Sequence, residues 1–169
     1  MLFRSPTLSF IDQFAFRPTG STTAALITLL SRVTLLLRTN PYVLVYVLDF
    51  SKAFDTVRHS TLLEKMALLS LPDQTYNWFV HYYSGHSHCT TFGGELSEFE
   101  NISASVIQGS GLGPASYIIN TADLHPIHKD NALVKFADDT DLIVAEKKKK
   151  TVVEELNNIK EWAKTNNLT

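Results

Sequence analysis

Leu133-Val-Lys-Phe-Ala-Asp-Asp-Thr-Asp-Leu-Ile-Val-Ala145 reads as two short strands, Leu133 to Phe136 and Leu142 to Ala145, flanking a tight turn at Ala137-Asp-Asp-Thr140. The turn carries Asp138 and Asp139 side by side at its tip. Adjacent acids repel one another, and a third acid nearby makes ionisation harder still unless a cation neutralises the group. A third acid is available. Asp49 ends the apolar, β-branched run Val43 to Leu48, 138 − 49 = 89 residues before Asp138. Carboxylate oxygens are hard ligands, so the natural guest of such a cluster is Mg²⁺. The same residues also fit plainer roles, the Asp pair as turn formers and Asp49 as a cap.

Outward from that hairpin the chain alternates helical and extended patterns. Ser21 or Thr22 caps a helix with apolar positions Leu26, Leu29, Leu30, Val33, Leu36 and Leu37, stopped by Asn40-Pro41. Val43 to Leu48 has the composition of a central strand buried on both faces. Thr61 and Glu64 match a capping box for a helix through Leu69, and Leu71-Pro72-Asp73 separates it from an aromatic helix. In that second helix Tyr76, Phe79, Val80 and Tyr83 share one face, which is read as core. Gly93-Gly94 marks a hairpin within Ser87 to Ile107. A glycine-rich loop, Gln108 to Gly113, then leads to a helix from Pro114 to about Asp123. A last helix has Thr151 and Glu154 as a capping box and Val152, Leu156, Ile159 and Ala163 as its stripe. This order of elements predicts an α+β domain with an antiparallel sheet packed on helices.

Composition narrows the function classes. With 169 residues, 44% of them apolar, the chain is one domain or part of a larger protein and can build a core. Lys plus Arg number 15 against 17 for Asp plus Glu, so at −2 any polyanion site must be local. The single cysteine, Cys89, excludes an internal disulfide and a cysteine-rich zinc site, and the six histidines show no zinc-ligand spacing. Ala24 to Leu37 is too short and too interrupted for a membrane span, and Met1 to Phe10 does not read as a cleavable signal, so the expectation is an intracellular protein of nucleus or cytoplasm without a membrane partner. Lys147 to Lys150 reads as solvated surface or as a nucleic-acid contact.

Three stretches occur in order: Leu48-Asp-Phe-Ser-Lys-Ala-Phe-Asp-Thr-Val57, Ile107-Gln-Gly-Ser-Gly-Leu-Gly-Pro114 and Phe136-Ala-Asp-Asp-Thr140. Together they resemble the first three polymerase motifs of a reverse transcriptase. With Gln13-Phe-Ala-Phe-Arg-Pro-Thr-Gly-Ser-Thr22 upstream and Trp162 to Leu168 downstream, the chain is similar to the polymerases of non-LTR, LINE-type retrotransposons. The resemblance runs from about Gln13 to the C-terminus. It implies a polymerase palm over residues 41–169, ending within the fourth motif, with a partial fingers-like segment over 1–40 and the thumb missing.

The resemblance further implies roles. Asp49, Asp138 and Asp139 would be catalytic and hold two Mg²⁺ ions, with Mn²⁺ as a substitute and the Phe50 carbonyl as a further ligand. Phe54 would lie under the incoming sugar and exclude a 2′-hydroxyl, the plainer alternative being core packing. Gln108 and Gly109 would line the nucleotide and template site. Arg17 either contacts phosphate or template or anchors a loop. The implied activity is RNA-directed DNA polymerisation with an RNA template, a DNA primer and dNTPs. Alternatives are an inactive palm fragment of a decayed element and a metal phosphoesterase using the same acids. Phe136 stands where the family has tyrosine, Ala15 replaces a usual glycine, and Gly20 occupies a position often basic. Without thumb and full fingers, little processive synthesis is expected.

Overall fold

Ser21 accepts a hydrogen bond from the Ala24 amide at 3.0 Å and so starts α1, Thr22–Leu37, in the computed structural model, which describes residues 8–107 and 109–168. β1, Val43–Leu48, comes next, then α2, His59–Met66, and α3, Asp73–Tyr83. Two small ribbons follow, β2 (Ser87–His88) with β5 (Glu100–Asn101), and between them β3 (Thr91–Phe92) with β4 (Glu95–Leu96). Gly93 and Gly94 both have positive φ, 61° and 88°, as a two-residue I′ hairpin turn requires. α4 spans Leu112–Asn120. β6, Ala132–Phe136, and β7, Asp139–Ala145, make the hairpin read first in the sequence, and a 3₁₀ segment, Glu146–Thr151, leads into α5, Val152–Thr165.

The main sheet has the antiparallel order β1-β7-β6. β7, not β1, is therefore central, and its Leu142, Ile143 and Val144 are fully buried. Side-chain alternation splits them: Leu142 and Val144 join the core made by α2, α3, α4 and α5, whereas Ile143 faces α1. The expected two-sided burial of Val43 to Leu48 is corrected accordingly. β1 is an edge strand, α1 lies mainly over β6 and β7, and Val47 is left 77% exposed. α1 likewise divides its apolar residues: Leu29, Val33 and Leu36 pack on the sheet, while Leu26, Leu30 and Leu37 are exposed.

Tertiary hydrogen bonds move several helix ends away from the positions that local signals indicate. α2 begins at His59, before the expected Thr61/Glu64 box. The His59 amide donates to Ser103 O at 3.0 Å, and its ring nitrogens lie 3.2 and 2.8 Å from the carbonyls of Tyr83 and Ser105. α4 starts two residues before Pro114, where Ser110 Oγ accepts from the Gly113 amide at 2.9 Å. It stops at Asn120, where buried Lys65 donates to the Asn120 carbonyl and buried Lys135 donates to those of Thr121 and Leu124 at 3.0 and 3.1 Å. The Thr151/Glu154 box does not form either. Thr151 is already helical and donates to Lys148 O, and Glu154 pairs with His128 at 2.8 Å. Among the described residues, no helix is long and apolar enough to cross a membrane.

Candidate active site

The β1–β7 register ends at the pair Leu48↔Thr140. Asp49 is the next residue along one strand and Asp139 the next along the other, so the two acids leave the same end of neighbouring strands, which run about 4.8 Å apart. Asp138 sits beside them as the second residue of a two-residue turn, because β6 pairs Phe136 with Asp139. The hairpin is thus tighter than the four-residue turn expected from Ala137 to Thr140, and Asp139 belongs to β7. Residues 89 positions apart in sequence, Asp49 and Asp138, come to one end of one sheet.

Tyr117 on α4 reports the same convergence. Its side chain is fully buried, its hydroxyl has no hydrogen-bond partner among the described residues, and its acidity is suppressed first by burial and then by the charges of Asp138, Asp139 and Asp49. Asp141 extends the acid row along the Asp139 face of β7, and its carboxyl is pushed up by burial and by Asp139. Two open grooves flank the cluster. One, about 810 Å³, runs from Asp49 and Phe50 along α5 and includes the cations Arg58, Lys160 and Lys164. The other, about 390 Å³, lies between α1 and the sheet and is lined by Val47, Asp139 and Asp141.

The remaining residues singled out in the sequence divide. The Phe50 ring is buried edge-on against Trp162, with centroids 5.7 Å apart. Phe54 is half-buried and stacks on Tyr117 at 4.5 Å with 21° between the rings. Gly109 has φ +79°, a backbone that favours glycine, and space around it. Gln108 lies outside the described residues. Arg17 donates to the carbonyls of Phe10 and Gln13, the latter at 3.0 Å, and so ties down its own loop. Lys147 to Lys150 occupy the exposed 3₁₀ segment, where Lys148 pairs with Asp130 at 2.7 Å.

Among the described residues, no group of three Asp, Glu, His or Cys side chains is arranged to hold a metal ion. The donor type of Asp49, Asp138 and Asp139, hard carboxylate oxygens, suits Mg²⁺, which keeps several waters and needs only one or two carboxylates beside substrate phosphates. The three negative charges felt at the Tyr117 hydroxyl are what such an ion would neutralise. Sequence reasoning passed over Tyr117, Asp141, Gln13 and the groove cations. Only Asp141 left a readable signal, two residues after Asp139 and hence on the same strand face.

Alternating burial, the β1-β7-β6 order and the acid-bearing turn are those of a polymerase palm. The chain belongs to the reverse transcriptase (RNA-dependent DNA polymerase) family, whose profile matches residues 7–169. It is 40% identical over 77 residues to the RNA-directed DNA polymerase from mobile element jockey of Drosophila funebris, across 46% of this chain and 8% of that protein. It is 29% identical over 131 residues to the probable RNA-directed DNA polymerase from transposon X-element of Drosophila melanogaster, across 75% of this chain and 14% of that one. The chain thus spans a small part of the relatives' length. Its fold is similar to that of telomerase from Candida tropicalis in complex with a fragment of telomeric RNA, with a TM-score of 0.67 at 16% identity over 92% of this chain and 28% of the telomerase chain.

Proposed function

We propose that this chain is the palm core of a mobile-element RNA-directed DNA polymerase that transfers a nucleotide from a dNTP to a primer 3′-hydroxyl. The observation that carries the reading is the meeting of Asp49, Asp138 and Asp139 at one sheet end between two open grooves. Asp49 and Asp138 would hold the metal with Asp139 beside them, and the Phe50 carbonyl would be a further ligand. Mg²⁺ bound there supplies charge neutralisation of the triphosphate and a lower pKa for the attacking hydroxyl. Phe54, propped on Tyr117, would wall off the sugar's 2′ position. Arg58, Lys160 and Lys164 would give template or primer phosphates a local positive rim on a chain of net charge −2. Gly109 and Gln108 would approach the nucleotide and template from the loop before α4. Residues 1–40 would serve as part of the fingers, and such a polymerase would work inside the cell, in nucleus or cytoplasm.

The test is addition of a single dNTP to a labelled DNA primer on an RNA template in the presence of Mg²⁺. Wild type is expected to extend, and Asp49→Asn and Asp138→Asn to lose on the order of 10²- to 10³-fold in rate. Wild-type rates in both variants, or no addition by the wild type, would refute the catalytic reading and leave a palm without chemistry.

A further inference from the structure

The turn that presents the acids is held in a costly conformation. In this two-residue hairpin, Ala137 has φ +56° while Asp138 does not have positive φ, the pattern of a II′ turn, whose first central position favours glycine. Alanine, unlike glycine, is strained at that position. Something must hold it, and one side chain does. Gln13, 2% exposed, donates from Nε2 to the Ala137 carbonyl at 3.3 Å and accepts the Ala137 amide on Oε1 at 3.0 Å, 124 residues away in sequence. The same Oε1 accepts the Ala15 amide at 2.9 Å.

Gln13 is itself fixed. Its segment runs alongside β6, with the Lys135 amide donating to Asp12 O at 2.7 Å and the Phe14 amide donating to Lys135 O at 2.8 Å. Arg17 closes the loop by donating to the Gln13 and Phe10 carbonyls. We propose that Gln13 is a positioning residue of the active site, its carboxamide clamping the Ala137 peptide so that Asp138 and Asp139 are held at the end of β1. This rests on the reading of those acids as the metal site. Arg17 and the Asp12–Lys135 pairing then act one step further out, by fixing the clamp.

The experiment uses the 169-residue chain with Mn²⁺ alone as probe, its affinity read by electron paramagnetic resonance, together with amide hydrogen exchange at Ala137. Gln13→Met keeps the volume and removes the amide. It is expected to weaken Mn²⁺ binding by about tenfold or more, the scale for groups that orient metal ligands, and to speed exchange at Ala137 selectively. Gln13→Met with Ala137→Gly, in which the turn forms without strain, should regain about threefold or more of that affinity. A merely structural role would not be rescued at Ala137. Unchanged affinity in Gln13→Met, or no recovery in the double variant, overturns the proposal. Should Gln13→Met fail to fold, exchange in the wild type decides: strong protection of the Ala137 amide supports the clamp, and exchange as fast as an open turn removes it. Asp138→Asn separates the two readings. If it leaves Mn²⁺ affinity intact, the metal-site reading fails whatever the Ala137 amide shows.

Discussion

Tyr117 is the residue whose surroundings say most about the site. Its ring backs Phe54, and its hydroxyl lies buried, without a partner among the described residues and under the field of three carboxylates. Burying a hydroxyl without a partner costs about 1–3 kcal/mol, so Tyr117→Phe should leave stability unchanged or raise it. Urea unfolding of the variant measures this, and a loss above about 1 kcal/mol would show that the hydroxyl has a partner after all. The three acids were legible as candidates because carboxylates at a strand end and a hairpin tip are unusual. Gln13 was not, since nothing in a loop glutamine announces a bond to a peptide 124 residues away. Gly20 shows how local sterics alter a family position: a Cβ there would stand 2.0 Å from the Phe14 carbonyl oxygen, so this backbone path excludes the basic side chain the position often carries.

At the scale of elements, α4 is anchored by charge. Lys65 and Lys135, both buried, donate to the carbonyls at and just beyond its C-terminus, and each has an acid partner, Asp123 at 2.7 Å and Asp12 at 3.1 Å. Burial nevertheless pulls both lysines below 10.5. Between those lowered values and 10.5 the unfolded chain binds more protons than the folded one, so these two groups make stability rise with pH through that window. Tyr83 and Tyr117 work the other way. Burial raises both above 10.0, so past that pH the folded chain keeps protons the unfolded chain releases, and stability falls. The urea midpoint should therefore climb as pH approaches 10 and turn down beyond about pH 10, with a weaker climb in Lys135→Met. A midpoint that falls steadily from neutrality would contradict this. Helices α1, α3 and α5 and the hairpin β6–β7 were readable from periodicity and turn residues. The place of β1 at the sheet edge was not, because an apolar run reports burial in general and says nothing of which strand pairs on both sides. Helix starts failed where a tertiary bond, as at His59, outweighed a local cap.

For the whole molecule as described, the sheet carries α1 on one face and the core shared with α2 to α5 on the other, and its acid-bearing end opens into grooves on both sides. Net charge concealed this arrangement, since −2 summed over the chain hides a cluster of four acids, Asp49, Asp138, Asp139 and Asp141, beside a rim of three cations. The motif order, by contrast, was visible because the same chemistry needs its residues at fixed places along the chain even when the fold brings them together. On this reading Asp49 and the Asp138–Asp139 turn form one metal-binding end of the sheet. Paramagnetic broadening of backbone amide signals by Mn²⁺ in the ¹⁵N-labelled chain measures this. The amides of residues 49, 50 and 137–140 should broaden together at the lowest Mn²⁺ concentrations, and Asp138→Asn should abolish the effect at both segments at once. Broadening confined to one segment, or centred elsewhere on the surface, would contradict it.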